Sequence, residues 1–282
     1  MRKFFILLPV VLILLSSSAF AQRADGPFRY SPYRWISEKP MIELSYGVSD
    51  VKLNNINSEF KSPGMIELRL GYASQWSSRY SKNVLSYENN YVYLSNSTTD
   101  IASKTSTGIN SSMWRFGIGS KDGMGLKFGS FSIMPYNSNS ISWSRFQFDR
   151  NSIANSSDYE KFDDFNEAFR FGTSTEAGIN LQITKGISLQ PKYEVSDIFP
   201  RHLVAKQMIS SLIEVGGAHM IDEFVRNILQ NTPVAGTIVN FVLKNAYEYG
   251  IYQLRKENMN WPFTGEAPLR YSTFKMGMTF TF

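Results

Sequence analysis

The chain has 282 residues, with 29 Lys and Arg, 24 Asp and Glu, and a formal net charge of +5. So small an excess of positive charge gives no electrostatic footprint for nucleic acid, which excludes that class of partner. The lack of cysteine excludes disulfides, thiolate metal sites and a lipid-modified cysteine. Aromatic residues make up 15% of the chain, whereas it has two histidines, so apolar surface is plentiful and catalytic side chains are few.

The first residues have the pattern of a secretory signal peptide. A basic start precedes an apolar run from Phe4 to Leu15, and the small-residue motif Ala-Phe-Ala then ends at residue 21. The apolar run is too short to cross ~30 Å of hydrocarbon as a helix, which argues against a membrane anchor. We therefore expect residues 1–21 to be a cleaved signal peptide, and residues 22–40 to form a periplasmic N-terminal segment.

Beyond this leader, many short segments alternate between apolar and polar residues, as half-buried β-strands do. In IELSYGV, for example, Ile42, Leu44 and Tyr46 share one face and polar or small residues share the other. Turn-forming pairs such as Lys185-Gly186 separate successive segments. The predicted strands are 41–48, 65–75, 84–95, 112–120, 125–136, 168–184, 187–197 and 268–282, with 141–148 an ambiguous ninth segment.

Alternation alone does not distinguish a β-sandwich, whose apolar face points inward, from a transmembrane barrel, whose apolar face meets lipid. Glycine and small residues are concentrated on the polar face, where a narrow lumen needs room. Aromatic residues lie near strand ends, as they do in the interfacial girdles of membrane barrels. These features favour the barrel. The aromatic residues concerned are Tyr46, Tyr72, Trp114, Tyr136, Tyr193 and Tyr271.

The segment FKMGMTFTF resembles the C-terminal strand of bacterial outer-membrane β-barrel proteins. In that family the last residue is usually Phe, and every second residue before it is apolar or aromatic. The resemblance implies a protein of the bacterial outer membrane, whose partners are the membrane lipid and the barrel-assembly machinery that recognises this strand. The matching positions are Phe274, Met276, Met278, Phe280 and Phe282.

The expected fold class is an all-β, antiparallel transmembrane barrel of eight strands, with an α-helical hairpin inserted before the last strand. Ten strands are possible if 141–148 crosses the membrane and another crossing was missed, because such barrels have an even strand number. With eight strands and both chain ends in the periplasm, 141–148 is a strand extension or a hairpin above the membrane. The barrel strands then occupy 41–197 and 268–282, the helical insertion occupies 198–267, the short periplasmic turns are 121–124 and 185–186, and the outer loops are 49–64, 96–111, 137–167 and 198–267.

An eight-stranded barrel is just wide enough for side chains to fill its interior. We expect carboxylates and cations to neutralise one another there, because unpaired charges out of water are costly. The alternative is a charged conduction path, which would make the protein a narrow channel. The residues predicted for the lumen network are Glu43, Glu67, Arg69, Arg115, Lys127, Glu176, Lys192, Glu194 and Lys275.

Residues 200–255 break the period of two and show helical spacing instead. The sequence Asn231-Thr232-Pro233 predicts the end of one helix and the start of another, with Thr232 as N-cap. The hairpin is too apolar to sit free in water. It could cap the barrel rim, lie in the membrane interface, or dock an unidentified protein or lipid partner, either outside the cell or, with ten strands, in the periplasm.

The sequence predicts neither an enzyme nor a cofactor or metal site. His202, with Ser210 and Ser211 two turns further on, is the basis of an alternative as a lipid hydrolase or acyltransferase, but no nucleophile motif surrounds it. The acidic stretch at 158–165 lacks the glycine-containing loop of a calcium site. The expected function is therefore a structural, adhesion or binding role through the outer loops and the helical insertion.

Overall fold

The computed structural model describes residues 38–54, 56, 58–78, 81–101, 108–149, 159–201 and 203–282. The predicted signal peptide, most of the predicted N-terminal segment and His202 lie outside the described residues.

Within these residues, eight antiparallel strands follow one another in chain order around a closed barrel. The predicted fold class is thereby confirmed, and the ambiguous segment 141–148 is the end of the fifth strand. The strands are β1 (Lys39–Leu53), β2 (Gly64–Ser78), β3 (Ser81–Thr98), β4 (Ser111–Phe128), β5 (Phe131–Phe148), β6 (Phe169–Gln182), β7 (Ile187–Ile198) and β8 (Leu269–Thr281).

The barrel closes where β8 pairs with β1. Met41 lies opposite Thr281 at one end of this pair, and Leu53 lies opposite Leu269 at the other. The backbone N–H of Phe282 donates to the carbonyl of Pro40 over 3.0 Å. The strand predicted from FKMGMTFTF is therefore the one that closes the barrel, and its Phe274, Met276 and Met278 point outward. Recognition of this strand by the assembly machinery stays a prediction.

The two ends of the barrel differ in their connections. At the turn end, β4 and β5 are joined by Gly129-Ser130, and β6 and β7 by residues 183–186. Residues 38 and 282 also lie at this end. At the opposite, loop end, the connections are 54–63, 99–110, 149–168 and 199–268.

The predicted turn at 121–124 is wrong, because β4 continues through it to Phe128. The turn lies instead at Gly129, whose φ of 63° is in the left-handed region that favours glycine. Gly123 serves another purpose, since a Cβ there would lie 2.4 Å from the carbonyl oxygen of Pro135. It allows close strand approach inside the sheet, so a glycine that suggested a turn is a packing residue.

The polarity of the barrel is inverted relative to a water-soluble one. On β1 the side chains of Glu43 and Ser45 point inward and are buried, whereas Ile42 and Leu44 point outward and are exposed. The same alternation runs along β8. An apolar exterior around a polar interior is the pattern of a transmembrane barrel.

The described helices are α1 (Tyr159–Asp163), α2 (Val204–Asn231) and α3 (Pro233–Arg255). The pair α2 and α3 forms an antiparallel hairpin, in which the Tyr247 hydroxyl donates to the carbonyl of Glu214 over 2.9 Å. Thr232 separates the two helices, but its hydroxyl donates back to the Ile228 carbonyl instead of capping α3. No helix in the described part of the chain combines the length and the apolar character needed to span a membrane.

The hairpin does not sit on the barrel rim. It leaves β7 at the loop end and folds back along the outside of the barrel, where α3 contacts β3, β4 and β5. Of the three locations considered from the sequence, this arrangement differs from a rim cap and places the hairpin beside the wall.

Candidate functional site

A cluster of charged side chains fills the middle of the lumen. Its carboxylates and cations come from six different strands, and each residue is at most 2% exposed. Eight of the nine residues predicted for the lumen belong to it. Lys127 does not, because it lies exposed near the end of β4, and Lys121 takes part although it was assigned to a turn. The members are Glu43, Glu67, Arg69, Arg115, Lys121, Glu176, Lys192, Glu194 and Lys275.

Arg69 lies at the centre of this cluster. Its guanidinium forms a two-pronged contact with Glu176, at 2.9 and 2.6 Å, and its Nε donates to Glu67 over 2.8 Å. Lys275 bridges Glu67 at 3.0 Å and Glu194 at 2.6 Å. These ion pairs join strands on opposite sides of the barrel, so the network cross-links the wall through its interior.

A second set of pairs completes the network of four carboxylates and five cations. Lys192 and Lys121 both contact Glu43, the latter at 2.9 Å, and Arg115 contacts Glu194 at 2.6 Å. Oxygens of three of the carboxylates lie within 4.8 Å of one another, a spacing that could suit a metal ion. The five lysine and arginine side chains already outnumber the four carboxylates, so the arrangement needs no bound cation.

Aromatic rings and apolar side chains close the space around the network. The Arg69 guanidinium lies 4.5 Å from the centre of the Tyr91 ring, and the Lys121 ammonium lies 4.5 Å from that of Tyr136. Apolar clusters lie beyond the charges, one around Tyr271 at the loop end and one around Met41 at the turn end. In the described part of the chain, the interior is therefore packed along its length.

The outer wall carries a polar area at the same height as the charged cluster. Lys121 points inward and reaches Glu43 across the lumen. Glu43 is flanked on the outside by exposed Ile42 and Leu44, whereas Lys121 is flanked by polar neighbours. Strand pairing joins these neighbours to further polar positions on β3, β5 and β6. We term this area the wall patch: Glu88, Asn90, Ser120, Asp122, Asn137, Asn139, Thr173 and Thr175.

The hairpin contacts part of the wall patch with its own polar side. Lys244 on α3 contacts Asp122 on the wall and Asp222 on α2, both at 2.9 Å. The amide of Asn137 donates to the side-chain oxygen of Asn245 over 3.0 Å. Such hydrogen bonds satisfy polar groups that would otherwise lie on an apolar surface.

Thr175 extends this contact to β6. Its hydroxyl is 3.3 Å from a carboxyl oxygen of Glu248 on α3 and 2.9 Å from the side-chain oxygen of Asn139. The polar side of α3 therefore meets the wall over three neighbouring strands. This contact was not predicted from the sequence. Asn137 and Asn139, successive outward-facing residues of β5, could have indicated a polar area on the wall.

A groove of about 1060 Å³ lies between the wall and the hairpin. Part of its lining is apolar, with Leu70 and Tyr72 from the barrel and Leu229 from α2. Charged side chains line another part, among them Asp222 and Arg226. The groove can therefore contact both an apolar chain and a polar group of the same molecule.

The serines considered with His202 have other surroundings than a catalytic site. Ser210 is buried, and its hydroxyl accepts a hydrogen bond from the Arg255 guanidinium over 3.0 Å. Arg255 also contacts Glu214 at 2.8 Å. Ser210 thus helps to join the two helices, while Ser211 lines the groove.

Comparison with known proteins finds similarity to solved structures, at low TM-scores, and none to curated sequences. No protein-family model matches the chain, and no curated protein matches it. Neisserial surface protein A superposes with a TM-score of 0.42 at 9% identity, covering 86% of this chain and 97% of that one. Ail, the attachment invasion locus protein of Yersinia pestis, superposes with a TM-score of 0.35 at 9% identity, covering 87% of this chain and 99% of that one. The outer membrane protein OprG from Pseudomonas aeruginosa superposes with a TM-score of 0.33 at 9% identity, covering 87% of this chain and 96% of that one.

These similarities are too low to transfer a function. The assignment of the fold rests on the strand order of this chain and on the polarity of its two faces.

Proposed function

We propose that the protein is a non-conducting barrel of the bacterial outer membrane, which binds an amphipathic molecule in the groove between its wall and its helical hairpin. The groove carries the proposal. Ligand sites are concave, are commonly about 300–1,000 Å³ in volume, and combine apolar walls with a few polar groups. A groove of about 1060 Å³ with both kinds of lining has these properties.

The location in the outer membrane is supported by the apolar exterior and by the predicted signal peptide. The binding role agrees with the expectation that the helical insertion carries the function, and it makes that expectation specific. Adhesion through the loops at the loop end stays a separate prediction.

The packed lumen supports the non-conducting part of the proposal. Arg69 and Arg115 occupy the centre, and their partners leave them at most 1% exposed. We expect the purified protein to give no stable unitary conductance in planar bilayers. A reproducible single-channel current would contradict this part and favour the narrow-channel alternative.

Filling the groove should prevent binding. Ala218 on α2 lines the groove, so Ala218→Trp places a large ring in it. Ala246 is exposed on the outward side of α3, so Ala246→Trp adds the same ring elsewhere. Native mass spectrometry of protein released from membranes in a mild detergent should show a retained amphiphile for the natural chain and for Ala246→Trp. We expect at least a ten-fold lower bound fraction for Ala218→Trp.

Equal retention by both variants would contradict the groove as the binding site. Retention by none of the three proteins, including the natural chain, would contradict the proposed function. Heat-dependent migration in detergent gels checks that each variant is a folded barrel.

A further inference from the structure

The exposed side of α3 is apolar except for Gln253 near its end. Val234, Ile238, Val242 and Tyr249 lie on it with exposed fractions of 50, 58, 56 and 63%. The opposite side of α3, which faces the wall and α2, carries Lys244 and other polar residues. A helix on the surface of a water-soluble protein has the reverse arrangement, with its apolar stripe towards the core.

α2 continues this apolar surface. Ile209, Leu212, Met220 and Phe224 are exposed on it, with Glu223 as the charged exception among the described α2 residues of this face. Apart from Glu223 and Gln253, the hairpin therefore presents apolar side chains outward and polar side chains towards the barrel. This is the polarity of the barrel itself.

The hairpin lies at the depth of the membrane. Asp122, which binds Lys244, is six residues before the end of β4. At about 3.3 Å per residue and a strand tilt of about 40°, this position is roughly 15 Å from the turn end. The apolar band of such barrels is about 25 Å tall, so Asp122 faces the middle of it.

The position of the hairpin tip agrees with this depth in the membrane. Pro233 is eleven residues before Lys244 on α3, which places it about 16 Å nearer the turn end at 1.5 Å per residue. The tip of the hairpin thus lies near the level of the turn-end interface. The exposed residues at the tip include four polar ones beside the apolar Val234, namely Asn227, Gln230, Asn231 and Thr232.

We propose that the hairpin is embedded in the lipid layer beside the barrel, with its polar side on the wall patch and its apolar side against the acyl chains. Hydrocarbon offers no partner for the wall patch, because polar groups exposed to lipid cannot hydrogen-bond there. The hairpin supplies partners for Asp122, Asn137 and Thr175 and presents an apolar outer surface that continues the belt around Leu44 and Met276. The partner of this surface is the bilayer core itself.

The lack of natural cysteine allows a direct test with single spin labels. Val242→Cys reports on the outward side of α3. Leu44→Cys on the apolar belt is the lipid-exposed control, and Lys52→Cys near the loop end of β1 is the water-exposed control. Each labelled protein is reconstituted into nanodiscs at one copy per disc. Collision rates are then measured with oxygen, which concentrates in lipid, and with a water-soluble nickel chelate.

We expect the label at Val242 to have the same oxygen and nickel collision rates as the label at Leu44. Its nickel collision rate should be at least ten-fold below that at Lys52. A label at Val242 that behaves like Lys52 would overturn the proposal. Protection that appears only in discs holding two copies would assign the surface to a second copy of the chain and would also overturn it. Ile238→Cys is a second position in case the first variant does not fold.

This inference is independent of the amphiphile in the groove. Ala218→Trp fills the groove but leaves the outward side of α3 unchanged, so the label at Val242 should keep its lipid environment in that background. Loss of amphiphile binding with a lipid-exposed label would contradict the proposed function alone. A water-exposed label with retained binding would contradict the embedding alone.

Discussion

Arg69→Met is expected to lower the free energy of unfolding by about 3–5 kcal/mol, the usual cost of removing one partner from a buried ion pair. Arg69 is 1% exposed and contacts both Glu67 and Glu176. Methionine has a similar length but no charge, so these carboxylates would lose their closest cation while remaining out of water. The measurement is equilibrium unfolding in urea of the barrel reconstituted in lipid.

Lys127→Met is the matched control, because Lys127 shares the inward register but lies exposed near the end of β4. We expect the control to change the free energy of unfolding by less than about 0.5 kcal/mol, as surface substitutions usually do. If Arg69→Met were as stable as the control, the network would not stabilise the barrel. The charged cluster would then need another explanation, such as conduction.

The strands and most of the lumen network follow from local sequence pattern. Alternation with a period of two assigns each residue to a face, and a closed barrel turns one face inward everywhere. Glu43 and Arg69 could therefore be placed in the lumen without knowing which residues they would meet. Their partners depend on the register between distant strands, which no local pattern contains.

The error at β4 has a specific cause. Lys121, Asp122 and Gly123 form a sequence that is typical of a turn. Here Gly123 allows β4 to approach Pro135 closely, and the true turn uses Gly129. Placing the turn at 121–124 left Lys121 out of the predicted lumen network. Lys127 was included in that network, although it lies near the end of β4.

The position of the hairpin could not be predicted for a different reason. The helical spacing of 200–255 shows that helices form, but not which surface they meet. That surface is the wall patch, and it becomes visible only when Asp122 and Asn137 are known to pair on the outside of neighbouring strands. The wall patch and the polar side of α3 would each be unfavourable in lipid, and their contact with one another removes that cost.

Lys244→Met should release the hairpin from the wall while leaving the barrel intact. Lys244 joins Asp122 and Asp222, so its loss removes a charged contact both to the wall and between the helices. Hydrogen bonds to charged groups contribute about 1.5–3 kcal/mol. A loss of that size corresponds to roughly 10- to 150-fold faster hydrogen exchange in α3, since exchange through local opening follows its free energy. Mass spectrometry of α3 peptides measures this, and peptides from β1 and β8 should not change.

Lys206→Met is the control, since Lys206 lies on α2 but contacts the carbonyl of Thr264 rather than the wall. It should leave exchange in α3 unchanged. The pairwise contribution comes from combining Lys244→Met with Asp122→Leu. Because these residues are in direct contact, the effect of the double variant should fall short of the sum of the single effects. Additive effects would mean that the ion pair does not attach the hairpin, and the hydrogen bond between Asn137 and Asn245 would then be the next contact to remove.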